Sequence, residues 1–562
     1  MNWFRWFHLR VLSVLSPQII AQQGVNQQTI SVLPWPASVP PLGRKLLRRR
    51  FDLGGASIEM QGNIDWLCEN APVSWRKEFY NFGWIHEVAV ANQHKLAASF
   101  VREFINSFAN SRDNTSPEAW DADIAGKRLA MWLLYRPFYL KGGSKAFRRR
   151  LGKSILQHLR RLHNAPVGED NKKREYIGGV AREYIGGVAR AWGLISAASL
   201  LPEANFLLKS ACDAMRTAIA REFPVGNLHI SQNPARHLEI LQILIAAWVL
   251  LPEEDLGENY FPQEMGSFPQ EIVSFQKELG EFIVQAGQSL RLLCHGDGRL
   301  ALFFGSTMEN AALIARILSL AGIEDDAAPQ GLHVFPSLCR LSRRKTVVFF
   351  QTFSNVNGKA PLSVEFSDDG ERFVVNCGGY LGVDPRWQQI VRQPEAHSTL
   401  SISEPPPLEA VARAEEIPIP IFHEERGNLI AQNSSENFIA QNIRHTRMIQ
   451  LSKSGDRFAG IDSLICLEGK TETNVTASLR FHLHPDIRCQ PQKDGSIRLV
   501  SVSGKVWMFS NNSPAQLSVE ESVYLGHDGH PQKTQQIVIN CTLNTPEINS
   551  PETNCEWVFV KI

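Results

Sequence analysis

The sequence predicts a multidomain α plus β protein, a helical first half followed by a large antiparallel β-sandwich. Apolar residues recur with helical period from about residue 80 to 322. After about residue 330 the pattern changes to short runs of β-formers. At 562 residues the chain is also long enough for more than one core.

In the first half, Phe100, Phe104 and Phe108 recur every fourth residue and so share one helix face. Similar stretches follow at Trp120–Leu140, Phe147–Leu162, Trp192–Leu201, Asn205–Ala220, Arg236–Leu251, Pro269–Leu293 and Glu309–Leu320. Roughly eight helices with short loops fit an α-bundle, a solenoid or a toroid. Before them, residues 1–45 form a lead-in in which Pro34, Pro36, Pro40 and Pro41 oppose a stable helix. Arg148–Arg150 read as a solvated helix face.

In the second half, Thr346–Phe353, Leu362–Phe366, Arg372–Asn376 and Ser398–Ile402 read as strands. Arg447–Leu451 and Arg457–Ile461 flank Ser454-Gly455-Asp456 and read as a hairpin. Further runs lie at Ser478–Leu483, Ser496–Val502, Lys505–Phe509, Gln516–Leu525, Thr534–Cys541 and Trp557–Ile562. About a dozen such runs suggest a sandwich, with the Pro-rich Glu404–Pro420 as a loop between strands. The expected divisions are a lead-in at 1–45, a helical domain at 46–328 and a β-domain at 329–562.

Composition excludes several classes. The 58 basic and 57 acidic residues nearly cancel, which argues against a nucleic-acid partner. The basic run Arg340, Arg343, Arg344 and Lys345 could draw a polyanion, or be a solvated loop. None of the nine cysteines forms a C-x-x-C pair, so a zinc ribbon or thioredoxin-type motif is not expected. They read as mostly free, buried thiols. Val11–Leu15 is shorter than a signal-peptide core, and no clear small-residue cleavage site follows it. No stretch approaches the ~18 apolar residues of a membrane span, so a soluble or peripheral protein is expected. REYIGGVA at Arg174–Ala181 repeats unchanged at Arg182–Ala189. A tandem duplication explains this better than a repeat fold, whose periods are longer. Its Gly-Gly pairs predict a distorted or extended helix.

An ordered set of segments runs through both halves: FGW at Phe82–Trp84, HISQNP at His229–Pro234, HGDGRLALFFG at His295–Gly305 and LSVEFS at Leu362–Ser367. VVNCGG at Val374–Gly379, AHSTL at Ala396–Leu400, RFHLHPD at Arg480–Asp486 and ESVYLG at Glu521–Gly526 complete it. Over about residues 45–540 the chain resembles the heparinase II/III-like polysaccharide lyase family. The resemblance implies an incomplete (α/α) toroid followed by the β-sandwich, with an acidic polysaccharide bound in a cleft between them. It implies β-elimination across a uronic acid, in the periplasm or cell envelope; the location would be cytoplasmic if the N-terminus is not a signal.

Such chemistry needs a group to neutralise the uronate, a base for the C5 proton and an acid for the departing O4. The resemblance implies an Asn or His neutraliser in the helical half and a Tyr further along. The matching turn here is Gly226–His237, and Arg236 falls near the Tyr position, a departure from the pattern. Asn233 and Arg236 are candidates for the carboxylate, and His237 and His397 for the base. His229, His482, His484 and Asn376 are candidate substrate contacts. The alternative for the turn is structural, with Asn233 as N-cap and Pro234 as first helical residue. His397 could equally be a hydrogen-bonded strand-edge histidine. His482 and His484 alternate on a strand and would share a face, with Arg480 and Asp486 placed to fix their tautomers. His295-Gly296-Asp297-Gly298 reads as a turn.

The resemblance also implies a metal in the β-domain, usually zinc. Its ligand positions fall on Gly358, Asn376 and His397, which leaves at most a degenerate site at His397 and Asn376. No tightly bound metal or other cofactor is expected. A hydrolase on the same scaffold lacks the paired carboxylates it would need. A glycan-binding or envelope-associated protein without chemistry is the alternative to the lyase.

Overall fold

A computed structural model describes residues 34–35, 40–91, 95–111, 114–165, 187–252, 268–324, 329–353, 360–402, 419–435, 443–466, 475–512, 515–527, 529–543 and 552–562. Its contacts divide the chain into two compact units. The first comprises 1–230, 238–288 and 316–323; the second comprises 231–237, 289–315 and 324–562. The β-rich unit therefore takes in segments from the helical part of the sequence.

The first unit is helical. Lys95–Asn110 buries Phe100, Phe104 and Phe108, as the four-residue spacing requires. Around them Phe51, Trp66, Phe79, Phe82 and Trp84 pack edge-to-face and stacked, so the FGW segment is packing material. Phe82 holds φ 57°, a left-handed turn that aims it and Trp84 inward. A helix does form at Pro40–Leu47, against expectation. Its prolines fall in the first turn, where no N–H is needed. Residues 166–186, with most of the duplicated octapeptide, lie outside the described residues. So do 1–33, and 404–418 of the Pro-rich stretch.

Ala122–Leu134 crosses Val188–Leu200 at a glycine contact. A Cβ on Gly193 would lie 2.6 Å from the Gly126 carbonyl oxygen, and one on Gly126 would strike the Ala189 carbonyl. Only bare glycines allow so close a helix approach.

The second unit is a β-sandwich. One sheet runs in the order Arg488–Pro491, Ile497–Val500, Val506–Asn511, Glu552–Lys561, Arg457–Cys466, Ile443–Leu451, Asn428–Ser435, Ile421–Glu425. The other runs Gln516–Tyr524, Gln532–Leu543, Val475–Leu483, Glu371–Val375, Val364–Asp368, Thr346–Gln351, Leu338–Arg343, Gly331–Val334. Leu400–Ile402 adds beside Val475–Leu483. Ile443–Leu451 and Arg457–Cys466 pair antiparallel as the expected hairpin. Phe366, Phe373, Phe458, Phe481, Trp507, Trp557 and Phe559 fill the core. Cys541 and Cys555 are joined in a disulfide, while Cys68, Cys212, Cys294, Cys339 and Cys377 are free and buried.

The basic run at 340–345 is not one solvated loop. Arg340 is buried within a strand, where Nη1 donates to the Pro329 carbonyl at 2.5 Å. Arg343 pairs with Glu424 and Lys345 with Asp369. Among the described residues no helix is long and apolar enough to cross a membrane.

Gly126→Ala should lower unfolding stability by about 1–3 kcal/mol, the usual cost of forcing a methyl into a packed contact. Denaturant titration checks this; an unchanged midpoint would contradict the helix crossing.

Candidate functional site

Three candidates of the β-sandwich unit, Asn376, His397 and His482, gather beside the strand Val364–Asp368. Its alternation puts Val364 and Phe366 in the hydrophobic core. That leaves Ser363, Glu365 and Ser367 on the opposite face. Glu365 is fully buried. Its Oε2 accepts from Leu302 N at 3.1 Å and His295 Nε2 at 2.9 Å, and its Oε1 from Asn376 N at 2.9 Å. Burial raises its pKa, opposed by the nearby Arg372 and by the main-chain donors. Burial likewise drives His295 well below its ordinary value, so its ring is neutral. Ser367 Oγ lies 2.8 Å from His295 Nδ1 and donates to it in the tautomer that gives Nε2–H to Glu365.

Asn376 continues from this anchor. Its Oδ1 accepts from Ser398 N at 3.0 Å. Ser398 Oγ donates to Val375 O at 2.7 Å and accepts from His482 N at 2.9 Å. Arg447 reaches across from the other sheet, where Nη1 donates to Ser398 O at 3.0 Å. Arg447 Nε is held by Asp462 at 2.7 Å, and His445 and Trp557 share that carboxylate. Ser398 thus ties Asn376, His482 and the His397 backbone together.

His397 Nε2 donates to the Val391 carbonyl at 3.0 Å. That bond assigns the proton to Nε2 and leaves a lone pair on Nδ1, which has no partner among the described residues. Burial pulls the ring down to about 4, so it is neutral at pH 7. His482 Nδ1 bonds Ser522 Oγ at 2.7 Å. Its Nε2 faces the main-chain oxygens of Glu395 and His397 without a well-formed hydrogen bond. Burial and then His397 lower it to about 3. Asn376 Nδ2 is likewise buried and unpartnered among the described residues.

The turn 231–237 approaches the same region. Asn233 caps the helix Pro234–Trp248 by accepting from Arg236 N at 3.0 Å, as the capping alternative anticipates. Its Nδ2 donates to Phe304 O at 3.0 Å. Gln232 and Phe304 both hold φ 55°, strain that packing must maintain. Gly379 N donates to Ser306 O at 2.8 Å, and a Cβ on Gly379 would strike the Gly305 carbonyl. Through Phe304–Ser306 and Gly378–Gly379 the Asn233 turn is linked to Asn376.

Other candidates lie elsewhere. His237 is fully buried in the first helical turn, its N–H bonded to Asn233 O at 3.0 Å. Arg236 is buried beside it. His229 belongs to the helical unit, 3.3 Å from Glu222 and edge-on to Phe223. His484 follows its strand and meets Tyr524 edge-on at 4.9 Å, with Asp486 at 3.5 Å. Arg480 donates to Ser401 Oγ and Ser478 O. Gly358 lies outside the described residues.

The donor set does not fit zinc. Asn376 Oδ1 already accepts from Ser398, and among the described residues no cluster of three or more His, Cys, Asp or Glu could hold a metal. Sequence reasoning missed Glu365, Arg372 and the anchoring role of His295. The available signal was a carboxylate between two serines on the face opposite Val364 and Phe366.

The family described as Heparinase II/III-like, C-terminal, matches residues 344–558. FtsZ-localized protein C of Caulobacter vibrioides is 23% identical over 310 residues, 50% of this chain and 51% of that protein. The match thus spans about half the length of that relative. A crystal structure of heparinase III superposes with TM-score 0.72 at 13% identity, covering 99% of this chain and 89% of that one. Heparan sulfate lyase HepC from Pedobacter heparinus gives 0.57 at 13%, covering 99% and 87%. The heparinase III BT4657 gene product gives 0.62 at 11%, covering 97% and 85%. These likenesses establish the fold: a toroid-type helical region and a β-sandwich.

His397 and His482 stay neutral when folded but take up protons near pH 6.5 when unfolded. Their contribution is intact above that pH and is lost as pH falls toward 4, at about 1.4 kcal/mol per pH unit for each ring. Urea midpoints should therefore fall between pH 7 and 4.5, and His482→Asn should flatten the slope. An identical slope in the variant would contradict the assignment.

Proposed function

We propose that this heparinase II/III-like protein cleaves an acidic, uronic acid-containing polysaccharide by β-elimination at the cell envelope, with His397 as the base. The supporting observation is the unpartnered Nδ1 lone pair of His397, its tautomer fixed by the Val391 carbonyl. In the proposed step Nδ1 takes the C5 proton. The C5 electron pair forms the C4–C5 double bond and the C4–O4 bond breaks. The protonated imidazole returns the proton to O4, so one ring serves as base and then acid. Asn376 Nδ2, with an N–H to spare, hydrogen-bonds the uronate and spreads the charge that develops at C5. A substrate carboxylate beside His397 would raise its depressed basicity. Asn233 contributes by holding the 304–306 turn, since both ends of its amide are engaged within the fold.

A second reading is a protein that binds acidic glycan on this scaffold without chemistry. The complete burial of Asn376 and near-complete burial of His482 favour it, as does a relative named for localisation with FtsZ.

A panel of acidic polysaccharides, followed by the ultraviolet absorbance of unsaturated uronic ends, separates the two. The lyase reading expects rising absorbance on at least one substrate, reduced about 100-fold or more by His397→Ala. A flat trace across the panel with binding retained supports the second reading and overturns the first.

A further inference from the structure

The β-sandwich unit holds a cavity of about 340 Å³ that the His397 group does not use. Turns from separate parts of the chain line it, among them Asp297–Arg299, Gly370–Arg372, His484–Ile487 and Ser501–Val502, with Tyr524 on one wall. Its size is that of a small-molecule site rather than a packing defect.

Arg372 is the key wall residue. Its side chain is 2% exposed. Nε and Nη2 grip Asp297 at 3.0 and 3.2 Å, and Nη2 also donates to the Arg299 and Leu300 carbonyls at 3.1 and 3.0 Å. Those bonds fix the guanidinium plane. Nη1 remains buried with no partner among the described residues. A buried guanidinium N–H left without an acceptor is costly, and an oxyanion is the acceptor it prefers.

The surrounding charges agree. Asp297 is neutralised by Arg372. Glu371 is taken up by Lys505 at 2.8 Å and by Ser501 and Ser503. Asp486 stands 68% exposed at the edge, 3.5 Å from His484. Arg299 is half-buried on the lining, and among the described residues its side chain makes no ion pair or hydrogen bond. Arg299 is thus an unpaired cation on the lining, with the exposed Asp486 carboxylate at the cavity edge. Burial and then Arg372 hold His484 down to about 4, opposed by Asp486 and Asp297, so its ring is neutral at pH 7. The partly exposed His484 ring, packed edge-to-face on the buried Tyr524, adds apolar wall of the kind a sugar ring packs on.

We propose that this cavity binds a compact sugar acid, a single carboxylate-bearing monosaccharide unit. The carboxylate would lie between Arg372 Nη1 and the Arg299 guanidinium, with the sugar ring toward His484 and Tyr524. The site is independent of the His397 chemistry and stands whether or not elimination occurs.

Calorimetric titration of the full chain with D-glucuronate, methyl glucoside and inorganic phosphate tests it. Glucuronate should bind saturably, and methyl glucoside and phosphate at least about tenfold more weakly. Arg299→Gln should weaken glucuronate by about tenfold or more with unfolding unchanged, and Arg372→Lys should do the same if it folds. His397→Ala should leave this binding intact, which separates the site from the proposed catalytic group. Absence of saturable glucuronate binding overturns the proposal, as does equal binding of the neutral sugar or of phosphate. Undiminished affinity in Arg299→Gln overturns it too.

Discussion

The buried Glu365 carboxylate organises the β-sandwich unit. It is a carboxyl group in a fully enclosed position, and such a polar group is tolerable only when hydrogen-bond partners surround it. Those donors come from far apart in sequence: His295 and Leu302 from the segment 289–315, and Asn376 from the adjoining strand end. One side chain therefore holds the 289–315 segment on the sheet and sets where Asn376 begins. Removing the carboxylate would leave all of these donors unsatisfied at once, at about 1–3 kcal/mol for each.

Everything proposed for chemistry hangs from that anchor. Asn376 positions Ser398, Ser398 positions His482, and Arg447 secures the same carbonyl from the opposite sheet. Such coupling makes the group rigid and also deeply enclosed. Rigidity favours catalysis, since a fixed tautomer presents one lone pair without reorganisation. Enclosure opposes it, because a polymer must reach the ring. The lyase and binding readings divide on that balance, and His397, with 6% exposure, sits at the division.

The architecture was legible in sequence because burial there follows period. Phe100, Phe104 and Phe108 could share a face only as a helix, and the hairpin around Gly455 could close only with its flanking strands antiparallel. The helix at Pro40–Leu47 was misread because proline was treated as a breaker without regard to position. Arg340 was misread because a run of basic residues hides which of them point inward on a strand. The site was only partly legible. His397 and Asn376 come together, and Asn233 reaches them through a backbone relay, whereas His237 is closed off in a helical turn. Glu365 and Arg372 escaped notice because their roles depend on partners about 60 to 75 residues away, as the Glu365–Leu302 and Arg372–Asp297 bonds show.

The central claim is that His397 offers an unprotonated Nδ1 at neutral pH. Nitrogen-15 NMR of histidine-labelled protein, with His397 assigned by substitution, reads that state directly. The account predicts a neutral ring protonated on Nε2 at pH 7, with the Nδ1 resonance moving when an acidic oligosaccharide is added. A ring protonated on Nδ1, or a doubly protonated imidazolium at that pH, would contradict it.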